Sequence, residues 1–382
     1  RELRFPLLRQ RRMGIRDGWI LTFPVFAAAL ACLAVFVKVA LVRYVLLGLM
    51  SIFVAFGVFE AYLCLGERAQ EDSHMRSVPI EELRKEKNRP DLQEHQSNIT
   101  YNDPVLGYRP KPMRVQTATR VLYDDTVVYD AIYSTLDSGW RITPQHPDAE
   151  HAVVMFGCSY VFGYGLNDEE TLPYKLGVKL GENYQVYNLS FSGYGSHHML
   201  AQIQDDMLAE IAKRHKTLSV FFLTIDGHEF RSAGFSTWDK RGPWYELENG
   251  QVVHKGRFTD RHNAVFRALN RFLRNSLAYQ SLTEARQDDR KKYAELHLAI
   301  INQADQDLRQ RYGTKLVTIL WPRAEFFDAL KKKGSPILDL LPHFPDYGQG
   351  DKYTIPHDGH PNPLATEIAA EAVAGYVRQS VE

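Results

Sequence analysis

The sequence predicts an α/β protein in which a doubly wound parallel sheet follows N-terminal transmembrane helices. Apolar strand-length runs alternate with helix-length segments from about residue 150 onward, which is the order typical of a parallel sheet. The run "LSVFFLTI" is apolar throughout, as expected of a strand covered on both faces by helices. A long apolar stretch before residue 66 indicates a membrane anchor.

The apolar stretch runs from Trp19 to Leu65 and is interrupted only by Lys38, Arg43 and Glu60. One bilayer-spanning helix needs roughly 20 apolar residues. We therefore expect two spans, at about residues 19–37 and 44–65. A buried hairpin of core helices is the alternative, but core helices normally carry a polar face.

The side of the membrane stays open at this stage. Residues 1–18 contain six Arg against Glu2 and Asp17, which favours a cytoplasmic N-terminus. Two spans would return the rest of the chain to the cytoplasm, whereas a single span would place it outside.

Composition excludes one class of partner. Lys plus Arg and Asp plus Glu both number 46, so the net charge is zero and no nucleic-acid-binding surface is predicted. The three cysteines, Cys32, Cys64 and Cys158, are too scattered for a disulfide framework or a metal site.

Three domains are predicted along the chain. Residues 1–66 form the anchor, residues 67–100 are a charged polar linker, and residues 101–382 form the main domain. Short alternating runs within residues 101–147 indicate a β-rich lead-in to that domain.

The main domain contains four predicted core strands, "AVVMFG", "YQVYNLS", "LSVFFLTI" and "KLVTILW". Asn249-Gly250 predicts the turn of a hairpin between the third and fourth of them. Helices are predicted at residues 170–180, 196–213, 263–276 and 282–312 and after Pro363.

Ser159 follows the first core strand, and ligands of parallel sheets bind outside the carboxyl ends of the strands. A serine becomes a nucleophile only beside a base. The segment "IPHDGHPNPLATEIAAEAV" supplies His360 as a base and Asp358 to orient it, in a loop before the last helix.

The motifs "FGCSYVFGYG", "YNLSFSGYGS" and "HDGHPNPLATEIAAE" together resemble those of the SGNH (GDSL-like) hydrolases, and "DPVLGYRPKP" resembles the lead-in of their membrane-anchored bacterial members. The resemblance implies a flavodoxin-like fold and a Ser159-His360-Asp358 triad, with the backbone N–H groups of Ser159 and Gly193 in the oxyanion hole. It implies no metal or organic cofactor.

The sequence departs from the family in the third block, where an oxyanion-hole Asn is expected but "FFLTIDGHEFRS" stands. We propose His228 as the substitute donor, since an imidazole N–H can donate a hydrogen bond and an ionised Asp226 cannot. A structural histidine is the alternative. Cys158 replaces the family's usual Asp before the nucleophile, at a position that is not catalytic.

His197 and His198 raise the question of a metal site. We expect surface or substrate-pocket residues instead, because adjacent helical histidines project in different directions and no carboxylate follows at the fourth position.

The expected function is hydrolysis of O-acyl esters, most plausibly O-acetyl groups of a glycan or glycolipid near the membrane. An O-acyltransferase with the same triad and a catalytically inactive glycan- or partner-binding module are the alternatives. The resemblance points to a bacterial inner-membrane protein and favours a periplasmic location for the main domain, residues 101–382.

Overall fold

The computed structural model describes residues 25–68, 99–112, 115–121, 127–261, 290–322 and 336–381. The described residues form two compact units, one of which is 25–68 and the other all that follow.

The first unit consists of two apolar helices, α1 (Val25–Phe36) and α2 (Ala40–Arg68), which contact each other where Phe26 stacks on Phe53 with ring centroids 5.6 Å apart. From Ala40 to Phe59, α2 has a mean hydropathy of 2.1 and only 6% of that window is buried. Among the described residues it is the helix long and apolar enough to cross a membrane. The described part of the other predicted span, α1, is shorter than a bilayer requires.

The second unit contains eleven strands: β1 (Thr100–Asp103), β2 (Gly107–Pro110), β3 (Val115–Val121), β4 (Val127–Ser134), β5 (His151–Phe156), β6 (Tyr184–Asn188), β7 (Thr217–Thr224), β8 (Pro243–Glu248), β9 (Gln251–Arg257), β10 (Leu316–Leu320) and β11 (Ile337–Asp339). Its helices are α3 (Ser159–Phe162), α4 (Leu172–Leu180), α5 (Ser196–Gln204), α6 (Ala209–Arg214), α7 (His228–Ser232), α8 (Arg290–Tyr312) and α9 (Pro363–Val381). Short 3-10 helices lie at Asp168–Glu170, Phe258–Arg261 and Leu341–His343.

Five parallel strands form the central sheet in the order β11-β10-β7-β5-β6. Numbered along the chain, this order is 2-1-3-4-5, which is the flavodoxin-like arrangement. The predicted fold class is therefore confirmed. The edge strand β11 was not predicted, since three residues are too few for their composition to indicate a strand.

Alternation along β5 explains why helices cover both faces of the sheet. Val153 and Met155 belong to a core that α4 and α9 cover, whereas Val154 and Phe156 belong to a core that α5 and α8 cover. Each fully buried side chain of this size contributes about 1.5–3 kcal/mol relative to an exposed one.

Two antiparallel pairs, β1–β2 and β3–β4, account for the predicted β-rich lead-in. The predicted hairpin is also present as β8–β9, with Asn249 and Gly250 at φ angles of 51° and 80°. Positive φ at both central residues defines the type I′ turn that favours Asn-Gly.

Helix boundaries differ from the predictions in two places. The segment predicted as one helix from residue 196 to 213 is α5 and α6, separated by a bend at Asp206, where φ is +54°. The predicted helix at residues 263–276 and most of the predicted linker lie outside the described residues, and α8 accounts for the described part of the next helix.

Candidate active site

The turn between β5 and α3 places Ser159 at the carboxyl end of the central strand. A Cβ atom on Gly157 would lie 2.5 Å from a methyl group of Val161, so this close turn requires glycine. Cys158 is the N-cap residue in extended conformation, and Ser159 opens the helix. The Ser159 side chain is nearly buried but lines an open cavity.

His360 lies between this serine and Asp358. Its Nε2 atom is 2.9 Å from Ser159 Oγ, and its Nδ1 atom contacts Asp358 Oδ1. A carboxylate can only accept, so Nδ1 carries the proton and Nε2 offers its lone pair to the serine hydroxyl. The structure brings the three predicted triad residues together across 201 positions of sequence.

The turn that carries His360 is fixed by its own backbone and by two tyrosines. The Ile355 N–H donates to the carbonyl of His360 at 2.7 Å, and the Ile355 carbonyl accepts from Asp358 at 3.1 Å. Tyr164 stacks on the imidazole with centroids 4.7 Å apart, and Tyr160 meets it edge-on at 5.6 Å. The ring is thereby held against rotation.

Arg141 binds the segment that follows Ser159. Its guanidinium is fully buried and donates to the carbonyls of Phe162, Gly163 and Leu166 at 2.6–2.8 Å. It also pairs with Asp168 at 2.9 Å. Burial lowers the pKa of Arg141, and Asp168 opposes that shift. This arginine thus fixes the loop that follows α3, and no sequence motif indicated it.

Ser159 and Gly193 both line the cavity, and each has a backbone N–H group. Within the described chain, neither donates to a protein acceptor. Gly193 has φ of +85°, and a Cβ there would lie 2.5 Å from Trp238 Nε1 and 2.6 Å from Tyr108 Oη. Both N–H groups therefore remain candidates for the oxyanion hole, as the sequence predicts.

His228 lies elsewhere. It is fully buried, contacts the Thr224 hydroxyl at 3.3 Å, stacks on Phe222 and packs near His297. It is absent from the lining of the cavity that Ser159 shares. Burial, followed by the charge of Arg231, holds its pKa well below the usual range. This placement argues against an oxyanion contact and favours the structural alternative.

The cavity has a volume of about 720 Å³. Besides Ser159, His360 and Gly193, it is lined by aromatic and cationic residues, among them Tyr108, Tyr164, Trp238, Arg231, Lys240 and Arg241. Arg231 lies in α7, in the same block where the resemblance expects the Asn. Sequence reasoning missed it because a cation in a polar segment gives no signal of where its side chain points.

The two adjacent histidines are not on the surface. His197, His198 and Asp239 are all fully buried, and their potential ligand atoms lie within 4.8 Å of one another. Neither histidine is among the residues that line the cavity around Ser159. The expectation of surface or substrate-pocket residues is therefore wrong, because the carboxylate partner comes from a loop 42 residues further on. His197 Nε2 lies 2.8 Å from Asp239 Oδ2, which suits an N–H donating to a carboxylate.

Comparisons with known proteins add little to this geometry. No family model matches the chain, and no curated protein matches it significantly. Solved structures do match, and three of them are 14% identical, covering 59–60% of this chain and 97–98% of theirs. They are a lipolytic protein assigned to the G-D-S-L family from Desulfitobacterium hafniense DCB-2, the psychrotrophic esterase EstA from Pseudoalteromonas sp. and a lipase from a goat rumen metagenome, with TM-scores of 0.34, 0.31 and 0.33. Scores this low support no conclusion about function.

Proposed function

We propose that this chain is a serine ester hydrolase of the SGNH type, with Ser159 as nucleophile, His360 as base and Asp358 as the acid that orients it. The observation that carries the proposal is the 2.9 Å contact between Ser159 Oγ and His360 Nε2, with Asp358 on the opposite ring nitrogen. The flavodoxin-like strand order and the motifs that resemble SGNH hydrolases support the same assignment.

The proposed reaction has two steps. His360 takes the hydroxyl proton as Ser159 attacks the acyl carbonyl, and the N–H groups of Ser159 and Gly193 stabilise the oxyanion. The ester C–O bond then breaks, and the alcohol leaves with the proton from His360. Water, deprotonated by the same imidazole, attacks the acyl-serine and releases the acid and the free hydroxyl.

The substrate we propose is an O-acyl ester of a glycan or glycolipid, with acetyl as the acyl group. The cavity is open and lies beside Trp238, whose side chain is 59% exposed. An exposed indole gives a rigid, amphipathic surface of the kind used in binding sites. The apolar helix α2 supports membrane anchoring, and the division into anchor, linker and catalytic domain remains part of the proposal.

A fluorophosphonate probe tests the nucleophile directly. We expect labelling of the full-length protein, no labelling of Ser159→Ala, and full labelling of the control Ser138→Ala, which changes an exposed serine outside the cavity. Labelling that survives Ser159→Ala would contradict the assignment. Acetate release from an acetylated glycan, with and without an added sugar acceptor, then separates hydrolysis from transfer.

A further inference from the structure

The residues that line the cavity around Ser159 carry an excess of positive charge. The whole chain has no net charge, yet the described residues that line this cavity include three cations, Arg231, Lys240 and Arg241, and no carboxylate. Two of them come from the short loop that also carries Trp238.

These cations have no acidic partner within the described chain, whereas several other lysines of the same unit do. Lys213, Lys216 and Lys255 each contact a glutamate at 2.6–2.8 Å. Lys240 and Arg241 are exposed and form no ion pair with a described residue.

Arg231 is held in place by one of its donors. Its Nη1 atom donates to the carbonyl of Tyr194 at 2.9 Å, and its guanidinium carbon lies 5.9 Å from the ring of Trp238. A guanidinium has five N–H donors, so several remain for a ligand.

The acidic groups beside these cations and beside His360 are already in use. Glu229, two residues before Arg231, is buried and accepts a hydrogen bond from the Gly227 N–H at 2.8 Å. Asp239 lies between Trp238 and Lys240 in the chain, but its carboxylate is buried and bound by His197. Asp358 is equally buried and contacts His360. The charge facing the cavity therefore remains positive, and low-dielectric walls strengthen its attraction for an anion.

We infer that the substrate of this site is an acidic saccharide, in which the sugar that carries the O-acyl group, or its neighbour, bears a carboxylate or phosphate. The inference rests on the proposed function and narrows its substrate class. Lys240, Arg241 and Arg231 bind the anionic group, and Trp238 packs against an apolar sugar face. A neutral lipid ester would leave all three cations without a partner.

The experiment compares two polymers that differ only in charge: O-acetylated polygalacturonate, and the same polymer after methyl esterification of its carboxylates. The full-length protein is assayed for acetate release from both, and the readout is the ratio of kcat/KM for the acidic over the neutral polymer. The test variant is the double substitution Lys240→Gln with Arg241→Gln. The control is Lys213→Gln with Lys216→Gln, which removes the same charge from exposed positions outside the cavity.

We expect the parent protein to prefer the acidic polymer. In the test variant the ratio of kcat/KM for the acidic over the neutral polymer should be roughly five- to tenfold lower, since each exposed charge contact changes affinity by about two- to fivefold. The control should keep the parent's ratio. Raising the salt concentration should weaken the parent's preference through screening. Equal rates on both polymers, or a preference that the test variant keeps, would overturn the inference and leave the hydrolase assignment intact.

Binding of both polymers to Ser159→Ala separates the inference from catalysis. If the parent releases no acetate, the proposed function fails. Tighter binding of the acidic polymer would still support the inference in that case, and equal binding of both polymers would overturn it. Competition by glucuronate and by glucose 6-phosphate, with glucose as neutral reference, distinguishes carboxylate from phosphate. Competition by phosphatidylglycerol vesicles alone would indicate a membrane surface and contradict an acidic saccharide.

Discussion

The molecule contains two buried Asp-His pairs that differ in what the second ring nitrogen faces. In His360–Asp358 and in His197–Asp239 the carboxylate side chain is fully buried. The His360 side chain is 22% exposed, and its free nitrogen lies 2.9 Å from a serine hydroxyl. His197 is fully buried, and its Nδ1 atom has no hydrogen-bond partner among the described residues. Of these two pairs, His360–Asp358 is therefore the one with the geometry that the proposed base requires.

Burial also gives the second pair a different acid-base character. It lowers the pKa of His197 to about 4, with His198 adding to the shift. Burial alone would raise the pKa of Asp239, but His198 and the hydrogen bond from His197 outweigh it and hold that pKa below the usual range. The pair is thus a neutral imidazole that donates to a carboxylate, which ties α5 to the loop bearing Trp238.

The largest expected effect separates the two pairs by activity. We expect His360→Ala to lower kcat/KM for ester hydrolysis by about 10⁴- to 10⁶-fold with little loss of stability, because it removes the base and leaves the fold intact. His197→Ala should instead lower the unfolding temperature while the folded fraction keeps its labelling by a fluorophosphonate. If both variants lost activity equally when measured on folded protein, the contrast between a catalytic His360 and a structural His197 would be contradicted.

Asp358→Asn tests whether the carboxylate sets the tautomer of His360. An amide can donate to Nδ1, which would leave the proton on Nε2, facing the serine. We expect kcat to fall by about 10³- to 10⁴-fold with KM nearly unchanged. The matched change Asp239→Asn, in the pair without a nucleophile, should affect unfolding far more than turnover. A small loss of kcat in Asp358→Asn would contradict the proposed orientation.

Acid should lower the stability of the fold through the protonation of His197. The unfolded chain protonates His197 near pH 6.5, but the folded chain does so only near pH 4, so stability is lost as the pH falls between these values. For this one group the loss is about 2–3 kcal/mol from pH 7 to 4.5.

Urea unfolding at the two pH values provides the measurement. His197→Gln should reduce the difference between the two pH values by roughly that 2–3 kcal/mol. The control His343→Gln changes an exposed histidine and should keep the parent's difference. A variant with the parent's acid sensitivity would show that other groups control it, including His297, whose pKa burial lowers to about 3.

The two pairs also show how far the sequence could predict the site. Ser159 and His360 were predictable because a parallel sheet brings the carboxyl ends of its strands to one edge, and each motif stands beside a strand or helix with a clear pattern. Asp239 was not, because its partner histidines lie in another element and nothing in "TWDKRGPW" indicates which side chain turns inward. The buried position of the His228 side chain could not be predicted for the same reason, since position after a strand does not determine side-chain direction.

The smallest expected effect tests the packing that orients His360, the proposed base. Tyr164 stacks on His360 at 4.7 Å, and an aromatic pair of this kind contributes about 0.5–1.5 kcal/mol. We therefore expect Tyr164→Leu to lower kcat by about two- to tenfold, since a free-energy change of 1.36 kcal/mol corresponds to tenfold in rate. Tyr164→Phe keeps the ring and should retain the parent's kcat, so a loss in both variants would assign the effect to the hydroxyl group.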